Sequence, residues 1–230
     1  MDFVLIVDTE TTGVDHHKDR CIEVAAVQYS LAHRCVVQCF SQLINAGPND
    51  AESINHIPSG ALEWGDPADQ VWQRVERMAH ECDAILAHNA SFDRRWVPAH
   101  VTGDIPWICT YQGIEWPISG DARNLIAIAL AHGLGVVDPH RALSDCMLIA
   151  RLLHRCAELG HDVAEMLSQG LRPQAHFQAL VTFDGKEAAK AKGFQWDAKG
   201  RRWVRAMAIE DATREKLGFD VRRCAETIEV

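Results

Sequence analysis

Phe3-Val-Leu-Ile-Val7, followed at once by Asp8-Thr-Glu10-Thr-Thr-Gly13, is the stretch on which the rest of the chain depends. Five consecutive apolar residues, two Val and one Ile among them, predict a buried strand. Side chains alternate along a strand, which puts Asp8 and Glu10 on one face, roughly 7 Å apart. Two carboxylates side by side at the end of a buried strand repel each other. They need a cation, a shared proton or open water. Gly13 then allows a sharp turn or the close approach of another backbone. An acidic strand end also serves as a plain solvated turn, so the pair by itself leaves the chemistry open.

The 230 residues, 47% of them hydrophobic, suffice for one sizeable core, or for one domain and a small module. A net charge of -9 argues against holding nucleic acid by bulk electrostatics and suits an acidic site that recruits a divalent metal. The charge is uneven. Residues 1–171 carry 11 Lys+Arg against 23 Asp+Glu, and residues 172–230 carry 12 against 9. A strand starting at Phe3, with no basic leader, predicts no signal peptide, and no apolar run is long enough to span a membrane. The eight Cys show no CxxC pair or zinc spacing and lie mostly in apolar contexts, as buried free thiols do. A soluble, cytoplasmic, reduced protein is expected.

In order along the chain, Asp15–Arg20 reads as a charged loop in which His16 and His17 form a solvated turn. Ile22–Tyr29 and Cys35–Ile44 read as strands, giving two antiparallel neighbours for the first. Asp66 is expected to cap a helix with Pro67 at its first position and Val71, Trp72, Val75, Met78 and Ala79 on its apolar face. Asp83–Ala87 is a short strand. Ser91 is expected to cap a helix ending near Pro98. Ile105–Cys109 is a further strand, Asn124–His132 a helix closed by Gly133, Val136–His140 a loop, and Arg141–Leu159 a long helix. Strand–helix alternation after a meander argues for a mixed sheet with helices around it.

Three stretches now join in that order: Asp8-Thr-Glu10-Thr-Thr-Gly13, His88-Asn-Ala-Ser-Phe-Asp93 and His140-Arg-Ala-Leu-Ser-Asp145. Set on this strand–helix order, they resemble the DEDDh group of 3′→5′ exonucleases, whose relatives include polymerase proofreading subunits and ribonuclease T. The resemblance covers about residues 3–160. Its wording is closest to the exonuclease X branch in Ala87-His-Asn-Ala-Ser-Phe-Asp-Arg-Arg95, Trp107-Ile-Cys-Thr110 and His140-Arg-Ala-Leu-Ser-Asp-Cys146. Taken singly, Asp93 and Asp145 are ordinary helix-surface carboxylates and His140 an ordinary helix-start residue. Their joint occurrence in order is what the resemblance rests on.

The resemblance implies a ribonuclease H-like α/β fold with a mixed five-stranded sheet flanked by helices. It implies two Mg²⁺ or Mn²⁺ ions held by Asp8, Glu10, Asp93 and Asp145, with Asp8 bridging both. Hard ions take oxygen ligands and keep several waters, so a few carboxylates suffice. His140 is implied as the general base on the attacking water, because an imidazole titrates near working pH. Asp138-Pro139 should hold the chain extended before it. For the substrate the resemblance implies Thr11 against the terminal nucleotide and its 3′ hydroxyl, Val14 as a short wedge, and Asn89 and Phe92 lining the pocket. His56-Ile57 resembles the group's His-Gly-Ile stretch, with the Gly absent and Pro58 following. His88 is read as structural, and Asp19, Glu23, Asp104 and Asp121 as carboxylates without a role in the chemistry.

Gln169–Phe177 contains Gly and Pro and reads as a linker. The boundaries expected are therefore 1–168 for the nuclease domain, 169–177 for the linker and 178–230 for a small α+β module. In the module, Ala179–Phe183 is expected as a strand, Lys186–Lys192 as a helix, residues 194–204 as a hairpin around Asp197–Gly200, and Ile209–Leu217 as a last helix. Phe183, Phe194, Trp196 and Trp203 alternate with Lys186, Lys190, Lys192, Arg201, Arg202 and Arg205. Aromatics among basic residues suit single-strand contact by stacking and phosphate pairing. Equally, so small a module needs aromatics for its own core. The expected activity is release of nucleoside monophosphates from DNA with a free 3′ end, on single strands or frayed duplexes. RNA trimming, or a binding or polymerase-associated role centred on the module, are the alternatives.

Overall fold

Strand β1 (Phe3–Thr11) runs four residues beyond the apolar stretch, so Asp8, Thr9, Glu10 and Thr11 are strand residues. A computed structural model of the chain describes residues 1–118, 123–214 and 217–225, in two units, Met1–Leu167 and Ser168–Val230. Asp121 lies outside the described residues. In the first unit β1 pairs antiparallel with β2 (Cys21–Ser30), which pairs antiparallel with β3 (Cys35–Leu43). On its other side β1 pairs parallel with β4 (Ala84–Ala87), and β4 with β5 (Trp107–Cys109). The sheet order is β3-β2-β1-β4-β5, a mixed five-stranded sheet. The expectation that β3 would adjoin β1 fails, because β4 takes that place. The four residues of β4 are all buried, as a central parallel strand requires, whereas β3 is largely exposed or half-buried and fits an edge.

The helices of this unit are α1 (Glu52–Asn55), α2 (Ala68–Ala79), α3 (Ala90–Trp96), α4 (Ala99–Thr102), α5 (Leu125–Ala131) and α6 (Ala142–Glu158). A further helix, α7 (Val163–Gly170), has no counterpart in the sequence reading. Alternation along β1 sorts the core. Val4 and Ile6 join Ala25, Val27, Leu86, Ile149 and Leu152 on the face covered by α6. Leu5 and Val7 join Val71, Val75, Met78 and Ile85 on the face covered by α2. All four β1 residues are completely buried, and each such side chain contributes roughly 1.5–3 kcal/mol. The same alternation puts Asp8 and Glu10 on the α6 face.

Two helix starts differ from expectation. Pro67, not Asp66, precedes the first residue of α2, because the Asp66 backbone is held in a bridge to Ile44. Asn89, in the left-handed region at φ 77, precedes α3; Ser91 lies inside it and donates its hydroxyl to Asn89 Oδ1. Among the described residues no helix is long and apolar enough to cross a membrane.

The second unit is an antiparallel sheet in the order β7-β8-β6-β9, built from β6 (Gln174–Ala179), β7 (Gln195–Asp197), β8 (Arg202–Ala208) and β9 (Val221–Arg223), with α8 (Lys186–Ala191) and α9 (Asp211–Arg214). Its buried core is Phe177, Ala179, Ala189, Phe194, Met207 and Leu217. The expected linker is largely structured. Gly170 ends α7 and Gln174 already begins β6, leaving Leu171–Pro173 between them. The strand expected at Ala179–Phe183 lies earlier, at β6, because pairing with β8 selects Gln174–Ala179, and Phe183–Gly185 forms a 3₁₀ turn. The hairpin forms with Trp196 opposite Trp203. The last helix starts at Asp211 rather than Ile209, with a turn at residues 209–210 after β8 ends at Ala208; residues 215 and 216 lie outside the described set.

Candidate active site

The carboxylates of Asp8, Glu10 and Asp145 converge, with ligand oxygens within 4.8 Å of one another. Asp8 and Glu10 come from the end of β1, and Asp145 from the first turn of α6. Asp93, in α3, is 2% exposed. Its Oδ1 accepts the Thr9 backbone N–H at 3.0 Å and the Thr9 hydroxyl at 2.8 Å. Those bonds fix the Asp93 carboxyl against β1, and its charge acts on Asp8.

The electrostatics follow from crowding acids in a buried place. Burial, then the charges of Asp93, Asp145, Glu10 and Glu23, push the Asp8 carboxyl well above its ordinary 3.8. Burial, then Glu23, Asp145 and Asp93, push Glu10 up to about 8, with Arg141 pulling the other way. Burial pushes Asp93 up to about 7 against the two Thr9 hydrogen bonds. Burial raises Asp145 too, moderated by the His140 ring and by the His140 backbone N–H. The trio offers only oxygen donors, the set that hard divalent ions take, and a cation would relieve the repulsion. The residues therefore fit a divalent cation.

Each raised carboxyl binds its proton more tightly folded than unfolded. The stability so gained is complete below the ordinary values of 3.8 and 4.5, and is lost as pH rises through about 7 for Asp93 and about 8 for Glu10. The melting temperature in EDTA should therefore fall by several degrees between about pH 5 and pH 8, and a divalent ion should restore it in the upper part of that window. Thermal melts across pH with and without Mg²⁺ check this. A flat profile in EDTA would contradict the crowding of the carboxyls.

His140 is exposed and sits at φ 63, directly before α6. Asp138, expected to be extended ahead of Pro139, instead lies at φ 45. Left-handed backbone on non-glycine residues is uncommon, and two such residues flank this proline. Gly13 is explained by a side chain rather than by another backbone: a Cβ there would meet the Asp19 carboxylate at 2.4–2.7 Å. Asp19 in turn accepts the Thr12 hydroxyl and the Asp15 backbone N–H, pinning the loop.

The implied substrate residues are placed unevenly. Thr11 is buried and donates its hydroxyl to the Gly13 carbonyl, while its own carbonyl accepts Asn55 Nδ2 at 3.1 Å. Val14 is 76% exposed. Asn89 is exposed, and half-buried Phe92 carries the Arg95 guanidinium 5.8 Å over its ring. His56 ends α1 in the left-handed region, and Ile57 is buried beside Ile22 and Leu62. His88 bonds Thr110, and its burial lowers it to about 4, in keeping with a structural residue.

Glu23, read from the sequence as having no role in the chemistry, has a structural role. It lies opposite Glu10 across β1–β2 and is 3% exposed. Its Oε1 accepts Arg141 Nη2 at 2.8 Å, and its Oε2 accepts Arg141 Nε at 3.1 Å and the Ala142 N–H at 3.2 Å. A two-pronged ion pair thus ties the first turn of α6, which carries Asp145, to the sheet and satisfies an otherwise open helix N–H. The partners stand 118 residues apart, and only the odd-numbered alternation of β2, shared with Ala25 and Val27, hinted at that face. Thr9 and Asn55 were missed for the same reason.

Residues 5–102 match the RNase T family of exonucleases, and residues 175–224 match a domain of unknown function, DUF8626. The chain is 29% identical over 178 residues to the DNA polymerase III subunit epsilon of Treponema pallidum, covering 68% of this chain and 79% of that protein. It is 31% identical over 159 residues to exodeoxyribonuclease 10 of Escherichia coli, covering 64% of this chain and 66% of that protein. Among solved structures, the nuclease domain of 3′hExo, a DEDDh family member bound to rAMP, superposes with a TM-score of 0.56 at 17% identity, over 70% of this chain and 94% of that one. With the mixed sheet, the converging carboxylates and these likenesses together, the N-terminal unit is an exonuclease domain of the RNase T, DnaQ-like kind.

Proposed function

We propose that the chain removes nucleotides one at a time from the 3′ end of DNA, releasing nucleoside 5′-monophosphates. The observation that carries this reading is the convergence of Asp8, Glu10 and Asp145 within 4.8 Å at the end of a buried strand. Similarity to an exodeoxyribonuclease supports DNA as substrate. Asp8, Glu10, Asp93 and Asp145 would hold two Mg²⁺ or Mn²⁺ ions. When bound, such ions supply Lewis-acid neutralisation of the phosphate and of the leaving oxygen. His140, on its exposed loop, takes the proton from the attacking water at an imidazole nitrogen. The water oxygen bonds to phosphorus, the bond from phosphorus to the 3′ oxygen of the preceding nucleotide breaks, and that oxygen takes a proton from solvent to leave as the new 3′ hydroxyl, while His140 returns its proton to solvent. Glu23 and Arg141 hold the start of α6 so that Asp145 meets β1. The Thr11–Val14 rim meets the terminal nucleotide, through backbone and the Val14 side chain, because the Thr11 hydroxyl is already bonded to Gly13. The eight free thiols support a reducing, cytoplasmic setting.

End-labelled strands test the reading. With Mg²⁺ or Mn²⁺, 3′-hydroxyl DNA should shorten from that end to monophosphates. A 3′-phosphate should inhibit strongly, and a closed circle should survive. Matched RNA strands decide the sugar preference. Efficient cutting of the circle would contradict an end-directed enzyme.

A further inference from the structure

The second unit distributes its aromatic residues in a way that its own core does not explain. Phe194 is 2% exposed and packs in the core, and Trp203 packs against the same core from the side. Phe183 and Trp196 remain 79% and 47% exposed. A unit of about sixty residues is short of buried apolar surface, and leaving two large aromatics outside forfeits stability it could use. Their placement is also ordered. Lys186 Nζ lies 4.1 Å over the Phe183 ring. Lys190 follows one turn later on the same face of α8. Its Nζ lies 5.7 Å from the Trp203 ring, and the Trp203 and Trp196 ring centres are 5.5 Å apart. The result is two ring–ammonium groups, Phe183 with Lys186 and Trp196–Trp203 with Lys190, set along one helix face into a stripe. Arg201, in the hairpin turn at φ 50, is exposed as well.

Two cations answer to the stripe itself. Lys190 also meets Glu187 at 3.0 Å, an exposed pair worth little in water and easily exchanged for a phosphate. Arg202, one of the basic residues singled out from sequence, belongs elsewhere: it is paired with Asp197 at 3.0 Å, where it helps to close the hairpin. The segment 172–230 carries 12 Lys+Arg against 9 Asp+Glu, in a chain whose net charge is -9. Basic character is thus concentrated in the segment that exposes its rings.

We propose that Phe183, Lys186, Lys190, Trp203 and Trp196 form a binding stripe for single-stranded nucleic acid, separate from the carboxylate cluster. The exposed ring faces stack unpaired bases, and the ammonium groups between them neutralise phosphates. Such a stripe reads features common to every base and to both sugars, so it binds without sequence preference. A duplex keeps its bases stacked on one another and offers the rings nothing. The stripe needs no strand end.

A closed single-stranded DNA circle with an internal fluorophore tests this with the full chain in EDTA. The circle has no 3′ end to enter the nuclease site, and EDTA stops hydrolysis, so the result does not depend on how the carboxylate cluster works. Wild type should bind the DNA circle and a matched RNA circle, each more tightly than a duplex circle, by fluorescence anisotropy. Trp196→Ala should weaken binding roughly 5- to 150-fold. Lys186→Gln with Lys190→Gln should reduce the slope of log affinity against log salt by about 1.4, for two phosphates no longer neutralised. Phe183→Ala, at the most exposed ring, provides a second variant and should weaken binding with an unchanged thermal melt. Trp196→Ala and Phe183→Ala proteins that melt normally and hold the circle as tightly as wild type would overturn the proposal and leave the stripe to a protein partner. Tighter binding to the duplex circle would overturn it as well.

Discussion

Asp8→Asn should lower turnover by at least about 10³-fold, because it removes a charge that the reaction's cations rely on, and such stabilisation is worth several kcal/mol. The folded state should not suffer. Asp8 sits where burial and four neighbouring acids all oppose its ionisation, so the neutral amide removes repulsion. Metal-free Asp8→Asn should therefore melt at or above the wild-type temperature at pH 8, while losing much of the rise that Mg²⁺ produces. Asp145→Asn should behave alike, since its oxygens belong to the same trio. Single-turnover digestion of 3′-labelled DNA, beside melts with and without Mg²⁺, measures both halves. An Asp8→Asn enzyme that trims DNA at the wild-type rate would remove Asp8 from the mechanism.

His140→Ala should cost roughly 10²–10⁴-fold in rate, the range for a general base in proton transfer. The same variant should keep its Mg²⁺-dependent rise in melting temperature and its affinity for a 3′-hydroxyl strand. His140 lies outside the carboxylate trio, on an exposed loop. Replacing an exposed side chain removes little buried surface, so the fold should be retained. The split between lost rate and retained binding separates a base from a residue that merely shapes the loop. Equal turnover in variant and wild type at neutral pH would sink the assignment.

Much of the site was legible because its signals are local. The apolar run Phe3–Val7 dictates a buried strand, and two-residue alternation then puts Asp8 and Glu10 on one face, facts that need only neighbouring residues. The position of Asp145 in the first turn of a helix follows from the Arg141–Leu159 pattern, and α6 begins one residue later, at Ala142. The same holds for Trp196 and Trp203, which a four-residue turn places opposite each other. Boundaries failed where a distant partner intervened. Asp66 lost its capping place to a bridge with Ile44, and β6 formed at Gln174–Ala179 because β8 lay there to receive it.

The sequence by itself determined the mixed α/β class, the two acids on β1, and the motif order that identifies the nuclease. Only the tertiary structure decided which acid holds the site together. Glu23 looks like any strand carboxylate until β2 pairs with β1 and α6 closes over both, bringing Arg141 and the Ala142 N–H to its oxygens. Likewise nothing local marks Thr9 as the clamp on Asp93, 84 residues away. Nothing local separates Phe194, which enters the core of the second unit, from Trp196, which stays in solvent. A propensity or a spacing is a property of one segment. Burial, charge pairing and exposure are properties of two segments brought together, and the chain states them only once folded.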